Sequence, residues 1–175
     1  MGARRVVTGN EAGKAVVVED SEMDGFSFGT LAVERVWASP VSPPPIPSNG
    51  SIDDSGPWFP LPGAIRSFRI VFPPDAAPDP DAPADPAFLA EVERNAPGAL
   101  AHMEPENPGM HVTQSVDIGI VQSGEVWLEL DDGKEVHLRA GDYVIQNGTR
   151  HGWRNHSTEP SIMTFVMIGA DRSTG

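Results

Sequence analysis

The chain predicts an all-β fold, a barrel or sandwich of short strands carrying one helix. Three observations carry that prediction. Short runs rich in Val, Ile, Thr and aromatic residues recur along the chain, each closed by Gly, Pro, Asn or Asp. Helical spacing of apolar residues is confined to one segment, 86–94. Between His111 and His156, His111, Asp117 and His151 stand on strand-like segments with glycines at the turns.

The elements follow in order. Arg4 to Thr8 and Ala15 to Glu19 are β-branched runs, and Asn10 to Gly13 between them has turn composition, so a hairpin is expected. Gly25 to Gly29 reads as a break, and Thr30 to Trp37 as a third strand. The stretch 39–62 is dominated by Pro, Ser, Gly and Asp; its prolines remove donors and fix φ, so no regular element is expected. It reads as a surface loop, or as a lid over a pocket, because Trp58 and Phe59 would be wasted in solvent. Ala64 to Phe72 is the fourth strand, stopped by Pro73 and Pro74.

Residues 75–86 form a second run of Pro, Asp and Ala, expected to be exposed and mobile. Asp85-Pro86 then supplies an N-cap and a proline at the first helical position. Phe88, Leu89 and Val92 give the helix one apolar face through Arg94, and a short further turn is expected to run to Met103. Beyond that come five strands, 116–122, 125–130, 135–139, 142–146 and 161–168, with Asp131-Asp-Gly133 as a hairpin turn.

Composition narrows the function classes. Twelve Lys and Arg against 25 Asp and Glu give a formal charge of −13, which repels phosphate backbones, so nucleic-acid binding is not expected. The chain has no cysteine, which excludes disulfides, thiolate metal sites and cysteine nucleophiles. The first residues lack the apolar stretch of a signal peptide, and no apolar run approaches the ~20 residues of a membrane span. A soluble cytoplasmic protein is the expectation.

The chemistry-bearing residues are His111, Asp117 and His151. Two imidazoles and a carboxylate suit Fe(II), Zn, Mn or Ni, and three protein ligands leave positions open for substrate. At about 3.3 Å per residue an extended chain would hold His111 and Asp117 roughly 20 Å apart. The reading therefore demands that residues 112–116 not be a straight strand. Thr113 is expected to face the pocket or bind a water. His102, near the first histidine in sequence, is a pocket candidate with an ordinary role at a helix end as its alternative. Trp153, Met163, Phe165 and Met167 are either barrel core or an apolar pocket wall, the latter fitting an aromatic or polyketide-like substrate. His137 reads as surface, His156 as loop, and Asn155 as a residue that holds its turn. No residue is assigned a catalytic role.

The second half resembles the cupin superfamily. The first motif of that family has the form G-x5-H-x-H-x3,4-E-x6-G and is matched by His111, Asp117 and Gly124; the second, G-x5-P-x-G-x2-H-x3-N, by Gly141, Gly148, His151 and Asn155. Thr113 takes the place of the second histidine, Asp117 that of the glutamate, Gln146 that of the proline, and Pro105 that of the first glycine.

The resemblance implies a cupin β-barrel, a jelly-roll-like double-stranded β-helix, with residues 105–170 as its core. Residues 1–104 would be an N-terminal β extension with Pro-rich loops and the short helix, all in one structural domain. It further implies one divalent metal ion (Fe, Zn, Mn or Ni) on His111, Asp117 and His151, and a homodimer exchanging or pairing its N-terminal strands. The implied activity is that of a metal-dependent small-molecule enzyme acting on a carbonyl, carboxylate or aromatic substrate: decarboxylase, isomerase or cyclase, dehydratase, or dioxygenase. The alternative is a non-catalytic cupin module that binds a small ligand.

Overall fold

The computed structural model describes residues 4–11, 14–41, 44, 52–53, 55–75 and 85–171. Their strands are β1 (Arg4–Glu11), β2 (Lys14–Glu22), β3 (Gly25–Phe28), β4 (Leu31–Ser39), β5 (Ile65–Phe72), β6 (Ser115–Ser123), β7 (Glu125–Glu129), β8 (Glu135–Arg139), β9 (Tyr143–Asn147), β10 (Gly152–Arg154) and β11 (Ser161–Gly169). The helix α1 (Pro86–Asn95) is followed by a 3₁₀ turn at Ala99–His102.

A six-stranded sheet runs β3-β4-β5-β11-β6-β9, a three-stranded sheet runs β10-β7-β8, and β1-β2 forms a sheet of its own. The pairings recorded for all three are antiparallel. The described fold is thus all-β, with the two larger sheets sharing one core. Three N-terminal strands belong to the same large sheet as the histidine-bearing half.

Period-two alternation decides which side chains face inward. On β11 these are Met163, Phe165 and Met167, and on β6 they are Ser115, Asp117, Gly119 and Val121, all buried. Phe68, Ile70 and Phe72 of β5 join them, and Val126, Leu128 and Leu138 close the core from the smaller sheet. Gly119 lacks a side chain where one would crowd the Phe165 ring: a Cβ there would lie 3.2 Å from Phe165 Cε1.

Two strands exceed the sequence expectation. Gly25–Phe28 is not a break but β3, paired with β4 through a turn in which Gly29 takes φ 62°. Its glycines mark the ends of a Gly-Phe-Ser-Phe run rather than an interruption. The three-residue β10 exists because β7 supplies its hydrogen bonds, a pairing that no local pattern encodes.

The helix begins as expected: Pro86 opens it, and the Asp85 carboxylate accepts from Ala87 N at 2.9 Å. Its expected apolar face is narrower, because Val92 is buried while Phe88 and Leu89 are 43% and 37% exposed. Phe88 instead leans towards the Gly29 turn.

The Pro-rich stretch before β5 also departs from a plain surface loop. Trp58 and Phe59 are core residues, 5% and 8% exposed. Trp58 stacks on Phe68 with ring centroids 4.1 Å apart, and its N–H donates to Pro97 O at 2.8 Å. The expectations for 42–43, 45–51, 54 and 76–84 fall outside the described residues, as does the turn at 12–13. No helix among the described residues is long and apolar enough to cross a membrane.

Candidate functional site

His111 precedes β6 and His151 precedes β10, and the two meet in an isolated antiparallel bridge. β6 starts only at Ser115, so residues 112–114 are not strand and the chain turns between His111 and Asp117 as the sequence reading demanded. The imidazole centroids of His111 and His151 are 4.4 Å apart.

Each ring has its Nδ1 against a carbonyl oxygen, His111 on Gly109 O at 3.0 Å and His151 on Thr149 O at 2.9 Å. A carbonyl can only accept, so both Nδ1 atoms carry the proton and both Nε2 atoms keep a lone pair. Burial lowers the pKa of His111, with the neighbouring His102 adding to it against the opposing Gly109 bond and Glu104 carboxylate. Burial lowers His151 further, to about 4, helped by His111. Both rings are neutral near pH 7.

Asp117 projects inward from β6 and is 4% exposed. Burial raises its pKa to about 6, against a lowering bond from Ser115. Its Oδ1 has no hydrogen-bond partner, and Gln146 Nε2 is in the same condition. Such buried orphans call for an explanation, since unpaired polar atoms away from water are costly.

All three residues line one cavity of about 160 Å³. Its other walls are apolar. Phe28, Leu31, Trp58, Phe59, Phe68, Ile70 and Phe72 come from the N-terminal half, and Met103, Trp153, Phe165 and Met167 from the second half. Phe59 stacks on His111 at 5.6 Å, and Trp153 sets its edge against His151 at 5.9 Å. The cavity is thus largely apolar, with the two imidazoles and the Asp117 carboxylate as its ionisable lining.

A bidentate ion pair ties the two histidine segments together from outside. Arg150 donates through Nε and Nη2 to the two oxygens of Glu104, each at 2.6 Å, and through Nη1 to Asp131 at 3.0 Å. The Arg150 bond is the leading reason that the Glu104 carboxyl lies below its ordinary pKa.

The candidates sort as follows. Trp153, Phe165 and Met167 line the cavity. Met163 does not: it shares their face but is fully buried, its methyl group near the space above Gly119. Thr113 does not face the cavity either; it is buried with its Oγ1 accepting from Ser115 Oγ at 2.9 Å. His102 also stands outside it, with Nδ1 on Val112 O at 3.1 Å and its ring edge-on to Phe59 at 4.8 Å. Asn155 holds its turn: Nδ2 donates to Phe72 O and Glu159 O, and Oδ1 accepts from Ser157. His137 stacks on Trp127 beside Glu125, and His156 lies between Asp75 and Glu135, both away from the cavity.

The wall residues of the N-terminal half were missed as pocket residues, apart from the hint in Trp58 and Phe59. The aromatic alternation in Phe68, Ile70 and Phe72 was the available signal.

The donor set suits a divalent metal in kind: two neutral imidazoles with free Nε2 lone pairs and an unpartnered carboxylate oxygen. Among the described residues, however, no three such side chains already form a metal-binding group. The histidines stand together; Asp117, one methylene shorter than the glutamate of the motif, lines the same cavity from β6 without closing on them.

His111, His151 and Asp117 are the ionisable residues of the cavity lining. Residues 99–167 match the family model of the cupin domain. Phomopsin biosynthesis cluster protein C' of Diaporthe leptostromiformis is 41% identical over 78 residues, 42% of this chain and 41% of the relative. Oryzines biosynthesis cluster protein J of Aspergillus oryzae is 39% identical over 78 residues, 42% of this chain and 44% of the relative. The alignments therefore span less than half the length of these two relatives. Cupin-domain-containing oxidoreductase srdB of Neurospora crassa is 28% identical over 172 residues, 94% of this chain and 72% of the relative. A solved Cupin 2 conserved barrel domain protein from Salinispora arenicola aligns at 18% identity and TM-score 0.41, over 80% of this chain and 76% of that one.

Proposed function

We propose that this protein is a metal-dependent small-molecule enzyme of cupin type, acting on an aromatic, polyketide-like compound that carries a carbonyl or carboxylate. The observation that carries the reading is the lining of the cavity: apolar, largely aromatic walls with His111, His151 and Asp117 as the ionisable residues among them. The names of the relatives support it, since two belong to biosynthesis clusters and a third is called an oxidoreductase.

His111 and His151 would hold the ion through Nε2, with Asp117 as the carboxylate ligand. Bound there, the metal supplies Lewis-acid polarisation of a substrate oxygen or a site for O2. The chain does the rest. Because both imidazoles are already neutral, they need shed no proton to bind. Asp117 releases its own proton above about pH 6. Phe59, Trp153 and Phe165 hold a flat molecule between ring faces and edges and keep water from the reacting end. Decarboxylation, isomerisation or cyclisation, dehydration and dioxygenation all lie within reach of these parts.

A non-catalytic ligand-binding barrel is the second reading. It is favoured by the failure of Asp117 to close on the histidines. Metal analysis of the purified protein, followed by incubation with aromatic carbonyl compounds, separates the two. Near-stoichiometric Fe, Zn, Mn or Ni with substrate consumption supports the enzyme. Tight binding of such compounds without metal or turnover replaces it with the binding module.

A further inference from the structure

Asp117 on β6 and Gln146 on β9 are direct cross-strand partners. Both face inward and are 4% and 5% exposed. Each carries one buried atom without a partner, the acceptor Asp117 Oδ1 and the donor Gln146 Nε2. The Gln146 amide is oriented from its other side, because Thr149 Oγ1 donates to Gln146 Oε1 at 3.0 Å. Residues so paired have Cβ atoms about 4.5–5.5 Å apart, within reach of a bond between an aspartate and a glutamine. A complementary donor and acceptor therefore lie across from each other, both unused.

We propose that Gln146 is the positioning residue for Asp117: its Nε2–H donates to Asp117 Oδ1 in the loaded site and fixes the rotation of the carboxylate. The inference rests on Asp117 being a ligand of the proposed centre. Thr149 keeps the amide from turning its oxygen towards the carboxylate.

The test titrates Co(II) into metal-free full-length protein, read by visible d–d absorption, beside 1H–15N spectra of the side-chain amides. Partners that orient a metal ligand are worth 10–100-fold in metal affinity. Gln146→Leu should therefore weaken cobalt about ten-fold or more, Thr149→Val less, and Gln146→Glu most, by facing Asp117 with a second carboxylate. The Gln146 amide signals, identified by their loss in Gln146→Leu, should move on cobalt binding and also on Asp117→Asn. Unchanged cobalt affinity in Gln146→Leu overturns the proposal. So do Gln146 amide signals that do not move when cobalt binds to the wild-type protein. Wild-type protein that takes up no cobalt sinks the metal reading instead, and the amide shift still decides whether Gln146 and Asp117 interact.

Discussion

His111 and His151 are joined by their backbones: His111 N donates to His151 O at 2.9 Å, and His151 N donates to His111 O at 3.0 Å. The 4.4 Å approach of their rings is therefore fixed by a two-way main-chain bridge. Either side chain can be removed without undoing the geometry that places the other.

That separation allows a clean ligand test. His151→Ala should leave the fold intact and strip the metal from the purified protein. His137→Ala, which alters a ring stacked on Trp127 outside the cavity, should leave metal content at the wild-type level. Full occupancy in His151→Ala would place any bound ion elsewhere.

Cavity shape rests on Gly119. A methyl group there meets Phe165 at 3.2 Å and Met163 at 3.4 Å, so Gly119→Ala pushes the Phe165 ring into the slot. Binding of a flat aromatic ligand, followed by tryptophan fluorescence, should weaken about ten-fold, the effect of roughly 1.4 kcal/mol. Unchanged affinity would show that ligands do not reach Phe165.

Phe68→Ala should destabilise the protein by about 3–5 kcal/mol, the range for a truncated core aromatic. Phe68 is 1% exposed and carries the Trp58 stack, so its loss also frees the 55–62 segment. Chemical denaturation gives the energy, and limited proteolysis should show new cleavage near Trp58.

Acid sensitivity of the metal-free protein has a sign set by His151. Its folded pKa near 4 lies below the ordinary 6.5. Between those values the unfolded chain takes up a proton that the folded chain refuses, so stability falls as pH drops through that window. Asp117, raised from 3.8 to about 6, works the other way: below pH 6 the folded chain holds a proton that an exposed carboxylate would give up. Urea midpoints from pH 7.5 to 4.5 should fall less steeply in His151→Asn and more steeply in Asp117→Asn. Parallel profiles in all three proteins would contradict buried neutral imidazoles.

The paired hairpin β1-β2 stands apart from the other two sheets. We propose that it joins two copies into a homodimer, so that deleting residues 1–20 should yield monomer or aggregate in size-exclusion chromatography. A well-behaved dimer from the shortened chain would refute it.

The ionisable lining of the site was legible in the sequence because His111, Asp117 and His151 differ in kind from the apolar strands around them. What lines the cavity was less so. Met163, Phe165 and Met167 share one face, yet Met163 is fully covered, a matter of packing over Gly119 that alternation cannot express. Thr113 lies before the strand starts, so its direction follows from a turn and not from a period of two. Phe68 and Phe72 reach the site through pairing with β11, some ninety residues away in the chain. The strands β3 and β10 hid for the opposite reason, being too short to show a pattern and held by their neighbours.

The cupin match begins at residue 99, whereas seven of the wall residues, from Phe28 to Phe72, precede it. Most of the wall is thus written outside the segment that carries the histidines. Exchanging residues 25–75 between such proteins would recast the slot while leaving the histidines untouched. Chains alike over the cupin segment can on this plan accept differently shaped molecules, and a profile of that segment alone is blind to the difference.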